Sequence, residues 1–322
     1  MILFFVIFVT FIWQRTPNEV SLPAPPPSTN YEIKYNEFKK HYDEAMDMEQ
    51  QTPSANSSRL LPPYHNLVEA IMVEPKYNLV SCQIEKVMTT IRDGIFCYLT
   101  NNTEFLAHNR SISTEYWTSR FCDNTFLRLG VEEVLEEFGP NLTLFTVVRH
   151  PIDRFLSGYV DKCINEKGYF PSEKLCFSCG HDLRCFIEKL YKILWEYYMN
   201  NTNVHTIIGR DITYYHIRHF APQTWYCNFK KFKNDYIIVD YHTGTNGTVR
   251  IADEFDKIFE QAHVPDDMRA VIHSEMLKGT TRHSTSHSEK RKRIEEQLLS
   301  NEYLMRLLMQ IYYYDFVEFG FR

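Results

Sequence analysis

The chain has 322 residues, 44% hydrophobic and 15% aromatic, enough to bury one large core or one core with a tail. A formal net charge of −6 gives no global basic field. This argues against nucleic acid as the main partner and requires any polyanion to be met by local cations.

Residues 1–13, MILFFVIFVTFIW, are apolar except for Thr10. As a helix they reach about 20 Å, short of the roughly 30 Å hydrocarbon layer, but they match the apolar core of a signal peptide. The segment reads as a signal peptide or short signal anchor that sends the chain into the secretory pathway. Arg15 stands on the wrong flank for a type II anchor and no small-x-small cleavage site follows, so both fates stay open. Residues 14–63 hold eight of the fourteen prolines, including LPAPPPS, and read as a proline-rich stem or linker. The folded lumenal domain is expected over 64–322. Asn-x-Ser/Thr sequons at Asn56, Asn101, Asn109, Asn141, Asn200 and Asn246 agree with a lumenal address.

Within the domain, NLVSCQI (78–84) reads as a strand and 87–99 as a helix with Ile91, Ile95 and Tyr98 or Leu99 on one face. LTLFTVV (142–148) is a second buried strand, followed by Pro151 and Asp153 in the first turn of a helix. A long helix over 182–200, a third strand YIIVDY (236–241), a helix over 253–263 and a closing helical stretch over 289–313 complete the pattern. Strands alternating with helices predict an α/β fold, a parallel central sheet flanked by helices, with ligands at the carboxyl ends of the strands. No internal repeat is visible.

The eight cysteines are too few for a disulfide scaffold, but an oxidising lumen should pair several. In CFSCGHDLRC, Cys176, Cys179, His181 and Cys185 are zinc-ligand types, yet they are not split into two separated pairs. Disulfides are the preferred reading, with Cys163 as a further partner and the connectivity open.

Two strand ends carry groups suited to an anion. Lys86, Thr89 and Thr90 follow the first strand at a helix N-terminus, where free N–H groups and the dipole favour phosphate or sulfate. Arg149 ends the second strand and can grip a phosphate with its planar fork, and Ser157 sits two turns into the next helix. On spacing alone, Arg149 could equally pair with a carboxylate and Ser157 pack against a neighbour.

The segment VVRHPIDRFLSGYVDKC resembles the 3′-phosphate-binding segment of the carbohydrate sulfotransferases that modify chondroitin, dermatan and related glycans, with the pattern V-R-x-P-x-x-R-x-x-S-x-Y-x-D-K. CQIEKVMTT, HFAPQTWYC and YYYDFVEFGF are similar to three further family segments, in order, so the resemblance spans about residues 78–321. It implies a P-loop-like fold and transfer of a sulfuryl group from 3′-phosphoadenosine 5′-phosphosulfate (PAPS) to a hydroxyl of a carbohydrate, a glycosaminoglycan such as chondroitin, in the Golgi lumen. Arg149 and Ser157 would hold the 3′-phosphate; Lys86, Thr89 and Thr90 would hold the 5′-phosphosulfate, with Lys86 neutralising the leaving group. His219, in HFAPQ, is the first candidate for the base, with His150 and Glu85 as alternatives. The scheme requires no metal.

The family's first loop usually reads P-K-x-x-x-T, whereas Glu85 stands here in the proline's place and Met88 is bulky. An acidic side chain beside a sulfate is unfavourable unless it points away, so a catalytically weakened glycan- or nucleotide-binding relative is the alternative reading. Phe220 replaces the tryptophan of the third segment. The basic runs at 228–233 and 289–293 are candidate glycan-binding patches, and His283 and His287 belong to a loop that could cover the nucleotide. A glycosyltransferase or nucleotide kinase is disfavoured, because neither D-x-D nor G-x-x-x-x-G-K-[ST] occurs. Nothing in the sequence fixes an oligomeric state.

Overall fold

Short apolar runs bounded by turn residues build one sheet. Its strands are β1 (Ala70–Glu74), β2 (Leu79–Cys82), β3 (Leu127–Leu129), β4 (Thr143–Val148) and β5 (Ile237–Asp240), in the order β3-β1-β2-β4-β5. They come from a computed structural model that describes residues 40, 60–67, 70–115, 120–122, 126–166, 170–200, 212–243, 246–278 and 288–321. The apolar leader, nearly all of the stem, and His283 and His287 lie outside the described residues.

The pairs β2–β4 and β4–β5 are parallel, as the alternation of strands and helices predicts. The sheet is not wholly parallel, because β1 runs against both β2 and β3. The link from β1 to β2 is a single 3₁₀ turn, Pro75–Tyr77, closed by Asn78 in left-handed backbone, and so short a connection can only reverse the chain. Neither β1, five residues, nor β3, three residues, is read as a strand from the sequence.

The helices are α1 (Thr89–Thr100), α2 (Asn102–Ala107), α3 (Val131–Phe138), α4 (Pro151–Tyr159), α5 (Leu183–Asn200), α6 (Ile212–Phe220), α7 (Phe229–Phe232), α8 (Gly247–Gln261), α9 (Asp266–Leu277), α10 (Glu289–Leu299) and α11 (Glu302–Phe319). The closing stretch is thus two helices, divided at Asn301, whose side chain accepts from the Leu304 N–H and caps the second. On one face of the sheet Phe145 of β4 packs against Phe96 of α1 and Phe255 and Phe259 of α8. The opposite face carries Cys82 and Thr146, neighbours in the register, and there Cys227 is joined to Cys82.

All eight cysteines are paired: Cys82–Cys227, Cys97–Cys122, Cys163–Cys176 and Cys179–Cys185. The CFSCGHDLRC cluster therefore has no thiolate to offer zinc, and Cys163 is its further partner. The sequon residues Asn101, Asn109, Asn141 and Asn246 are exposed. Among the described residues no helix is long and apolar enough to cross a membrane.

Candidate active site

The segment Gln83–Met88 joins β2 to α1 without a glycine, although Lys86 and Met88 take left-handed backbone with φ of 66° and 56°. Each such residue costs about 1–2 kcal/mol, so the turn persists only where its surroundings fix it. Three arginines do this by taking its carbonyls: Arg92 donates to Cys82 O at 2.7 Å and Val87 O at 3.0 Å, Arg154 to Glu85 O at 2.8 Å, and Arg149 to Lys86 O at 3.2 Å. Because a trans peptide points its N–H opposite to its carbonyl, the amides of Lys86, Val87 and Met88 face away from the guanidiniums. No acceptor among the described residues takes the N–H groups of residues 86–90. The first turn of α1 has no acidic residue, and Met88 gives it no side-chain cap. Open amides in a left-handed turn at a helix N-terminus are the geometry of an anion cradle. Thr89 and Thr90 stand on this first turn, and the Met88 side chain packs against the core.

Arg149 lies at the adjacent strand tip. Its guanidinium is paired with Asp153, one turn into α4, and lies 4.5 Å over the ring of Tyr241, the residue after β5. The tips of β2, β4 and β5 therefore meet at this one arginine. Asp153 is also paired with Arg291 from α10. Burial alone would raise its carboxyl, but Arg149 and Arg291 outweigh burial and hold it below the usual carboxylate range. Ser157 follows on the same face, buried, its side-chain hydroxyl without a hydrogen-bond partner among the described residues. One turn further, α4 widens into a π-helical turn, Val160–Asn165, that carries Asp161 and Lys162.

The Lys86 side chain reaches that turn, its Nζ 2.8 Å from Asp161 Oδ2. Lys162 shares the same oxygen at 3.1 Å and meets Glu166 at 3.2 Å. Burial lowers the Lys86 ammonium, and Asp161 offsets only part of this. Around the loop stand seven cations, Lys86, Arg92, Arg149, Arg154, Lys162, Arg218 and Arg291, and five carboxylates, Glu85, Asp93, Asp153, Asp161 and Glu166. The site is locally positive in an acidic chain.

His219 stands near the end of α6, 5% exposed. Its Nδ1 lies 2.6 Å from Tyr215 O, and since a carbonyl can only accept, Nδ1 carries the proton and Nε2 is left as an acceptor. Burial presses the imidazole well below its ordinary pKa, against the pull of Glu85, so it is neutral. His216, three residues earlier, has the same anchor on Ile212 O at 2.7 Å, but its Nε2 accepts the Cys176 N–H at 3.0 Å. His216 is thereby fully used in packing, whereas among the described residues His219 Nε2 makes no hydrogen bond and has Glu85 Oε2 beside it at 3.7 Å. His150 is turned elsewhere, its ring edge-on to Phe316 and Phe321 and its pKa pushed to about 4 by burial.

The remaining contacts explain why distant segments meet here. Gln223 accepts the Arg149 N–H and donates to the Arg149 carbonyl, both at 2.8 Å. Asp315 of α11 accepts the N–H groups of Gln223 at 2.7 Å and Thr224 at 2.9 Å. Arg154, 1% exposed, binds Ala221 O at 2.8 Å and Tyr226 Oη at 3.3 Å besides Glu85 O. All four motif segments are thus hydrogen-bonded into one unit.

The structure brings Lys86, Thr89, Thr90, Arg149, Ser157 and His219 to this unit. Sequence reasoning gives no site role to Arg92, Arg154, Asp153, Asp161, Gln223 or Asp315, although Arg154 and Asp161 are fixed letters of the resembled pattern and Asp153 reads only as a first-turn acid. Arg154 and Asp153 lie between buried apolar neighbours on α4, and a charge on the apolar face of a helix is the signal that could have marked them. Of the basic runs, Arg291 is buried on Asp153, and Lys231 and Lys233 face Glu132 and Glu318. Lys230, Lys290, Lys292 and Arg293 stay exposed.

Residues 69–322 match the sulfotransferase family. The Caenorhabditis elegans carbohydrate sulfotransferase chst-1 is 31% identical over 294 residues, covering 89% of this chain and 86% of that protein. The putative sulfotransferase vep-2 of the same organism is 30% identical, covering 70% and 68%. An uncharacterized protein, C18B2.2, also from C. elegans, is 30% identical, covering 81% and 72%. No solved structure matches.

Proposed function

We propose that this chain, which belongs to the sulfotransferase family, transfers a sulfuryl group from PAPS to a hydroxyl of a carbohydrate, with a glycosaminoglycan such as chondroitin as acceptor. The reading includes a Golgi-lumenal domain from about residue 64, N-glycosylated and delivered by the leader at 1–13. The observation that carries it is the glycine-free loop whose three successive carbonyls at Glu85, Lys86 and Val87 are turned to arginines, leaving the amides that follow them, Lys86 and the N-terminus of α1 to an anion. A nucleotide with an anion at each end suits two adjacent cationic strand tips, and likeness to chst-1 supports a carbohydrate acceptor.

In this reading PAPS supplies an activated sulfuryl group. The acceptor oxygen forms a new bond to sulfur as the bond from sulfur to the 5′-phosphate oxygen breaks. Lys86 Nζ, held beside the loop by Asp161, neutralises the charge left on that phosphate. Thr89 and Thr90 add donors at the helix N-terminus. Arg149 and Ser157 hold the 3′-phosphate. His219 Nε2, the acceptor left by the Tyr215 anchor, takes the hydroxyl proton. Glu85 does not lie loose against the sulfate, because Arg218 holds its carboxylate at 3.2 Å.

The test is incubation of the full chain with sulfur-labelled PAPS and a panel of desulfated glycosaminoglycans. Label in a glycan is expected. Donor binding with no transfer to any acceptor would favour a catalytically weakened binding relative. His219→Asn should lower transfer by about 10²–10⁴-fold while sparing donor binding. Lys86→Ala should lower kcat more than donor affinity, and equal losses would remove its leaving-group role.

A further inference from the structure

Glu85 breaks the family's loop pattern, and its surroundings suggest that the change is functional. Its Oε1 lies 3.2 Å from Arg218 Nη1 and its Oε2 3.7 Å from His219 Nε2, so one carboxylate spans two consecutive residues of α6. The separation of 3.7 Å exceeds a hydrogen bond, as it should while Nε2 carries no proton; a protonated Nε2 could close on the carboxylate by about 1 Å.

The groups facing His219 come from three elements. The β2–α1 loop brings Glu85; the π-helical turn brings Lys162, itself paired with Asp161 and with Glu166 just beyond the turn; α6 brings Tyr215 and Arg218. Lys162 and Arg218 both oppose charge on the imidazole, and Glu85 is the carboxylate that favours it most strongly. An imidazolium formed here without Glu85 would sit among cations.

We propose that Glu85 is a positioning residue for His219: fixed by Arg218, its carboxylate aligns against the Nε2 edge and balances the imidazolium formed when the acceptor hydroxyl gives up its proton. The inference rests on the transfer reading above. The proton moves from hydroxyl to Nε2 as the oxygen bonds to sulfur and the donor's sulfur–oxygen bond breaks; it then passes to solvent after product leaves. No oxidant or reductant is involved.

The experiment compares wild type, Glu85→Gln and Glu85→Asp as full chains, by histidine-labelled NMR titration from pH 4 to 8 and by kinetics across the same range. His219→Asn identifies the resonance. For Glu85→Gln, the His219 midpoint should fall by one unit or more, or drop out of the range. The acid limb of kcat/KM should shift the same way, and kcat should fall at least tenfold with donor KM within twofold; Glu85→Asp should recover a large part of kcat. An unchanged His219 midpoint in Glu85→Gln, or a changed donor KM at unchanged kcat, overturns the proposal. Should wild type transfer to no glycan while the midpoint still moves, the transfer reading fails and the Glu85–His219 coupling stands.

Discussion

The tips of β2 and β4 lie side by side, yet they are built in opposite ways. The turn after β2 is strained at Lys86 and Met88, has no glycine, and is held from outside by Arg92, Arg149 and Arg154 and by the Cys82–Cys227 bridge. The turn after β4 has no left-handed residue; Pro151 starts α4 with its φ preset and Gln223 takes both backbone groups of Arg149. The first tip gets its shape from the rest of the molecule, the second largely from its own sequence. A glycine loop would reach the same conformation at lower local cost, but the arginines add something glycine does not. By binding carbonyls they set which way the amides face.

That contrast can be broken most severely at the bridge. Replacing Cys82 and Cys227 together by alanine opens a closed loop with a sequence separation of 145 residues. It should cost about 5 kcal/mol in urea unfolding by the chain-entropy account. Next is Arg154→Met, which strips buried bonds from Glu85 O, Ala221 O and Tyr226 Oη. A loss of about 3–5 kcal/mol is expected, together with loss of donor binding. A variant as stable as wild type would show that the loop holds itself.

Acidification sharpens the same comparison. Burial works to raise the Glu85 carboxyl, but the cations Arg218, Lys162 and Lys86 hold it at about 2. The unfolded chain therefore binds the extra proton between about pH 4.5 and pH 2. The stabilisation is complete above that window and is lost as pH falls through it, by up to about 3 kcal/mol, and Glu85→Gln should flatten this limb of the stability curve.

At the β4 tip the effects are smaller and fall on binding. Arg149→Ala should leave the fold intact, since Arg291 still neutralises Asp153, and should weaken donor binding by about 1.5–3 kcal/mol in calorimetry. Unchanged affinity would make Arg149 purely structural. Pro151→Ala should cost only about 0.5–1 kcal/mol of stability and no donor affinity.

The strands at 79–82, 143–148 and 237–240 and most helices could be read from apolar periodicity, because each makes its pattern locally. β1 and β3 could not, being dependent on antiparallel pairing, β1 with both β2 and β3. Of the site, Lys86 and Arg149 were legible because a cation at the end of an apolar run is conspicuous. Arg92, Arg154 and Asp315 were not, because their partners are backbone groups of other segments, in the case of Asp315 some 90 residues away.

The sequence by itself determined the α/β elements, the two cationic strand tips and the resemblance carried by the four segments, since these are properties of neighbouring residues. Only the tertiary structure decided that three buried arginines take the loop's carbonyls and leave its amides facing away, that His219 and not His216 keeps an open nitrogen, and that Glu85 stands against that nitrogen. Hydrogen-bond direction and charge balance are set by which groups remain unpaired once distant segments pack together, and no local pattern records that.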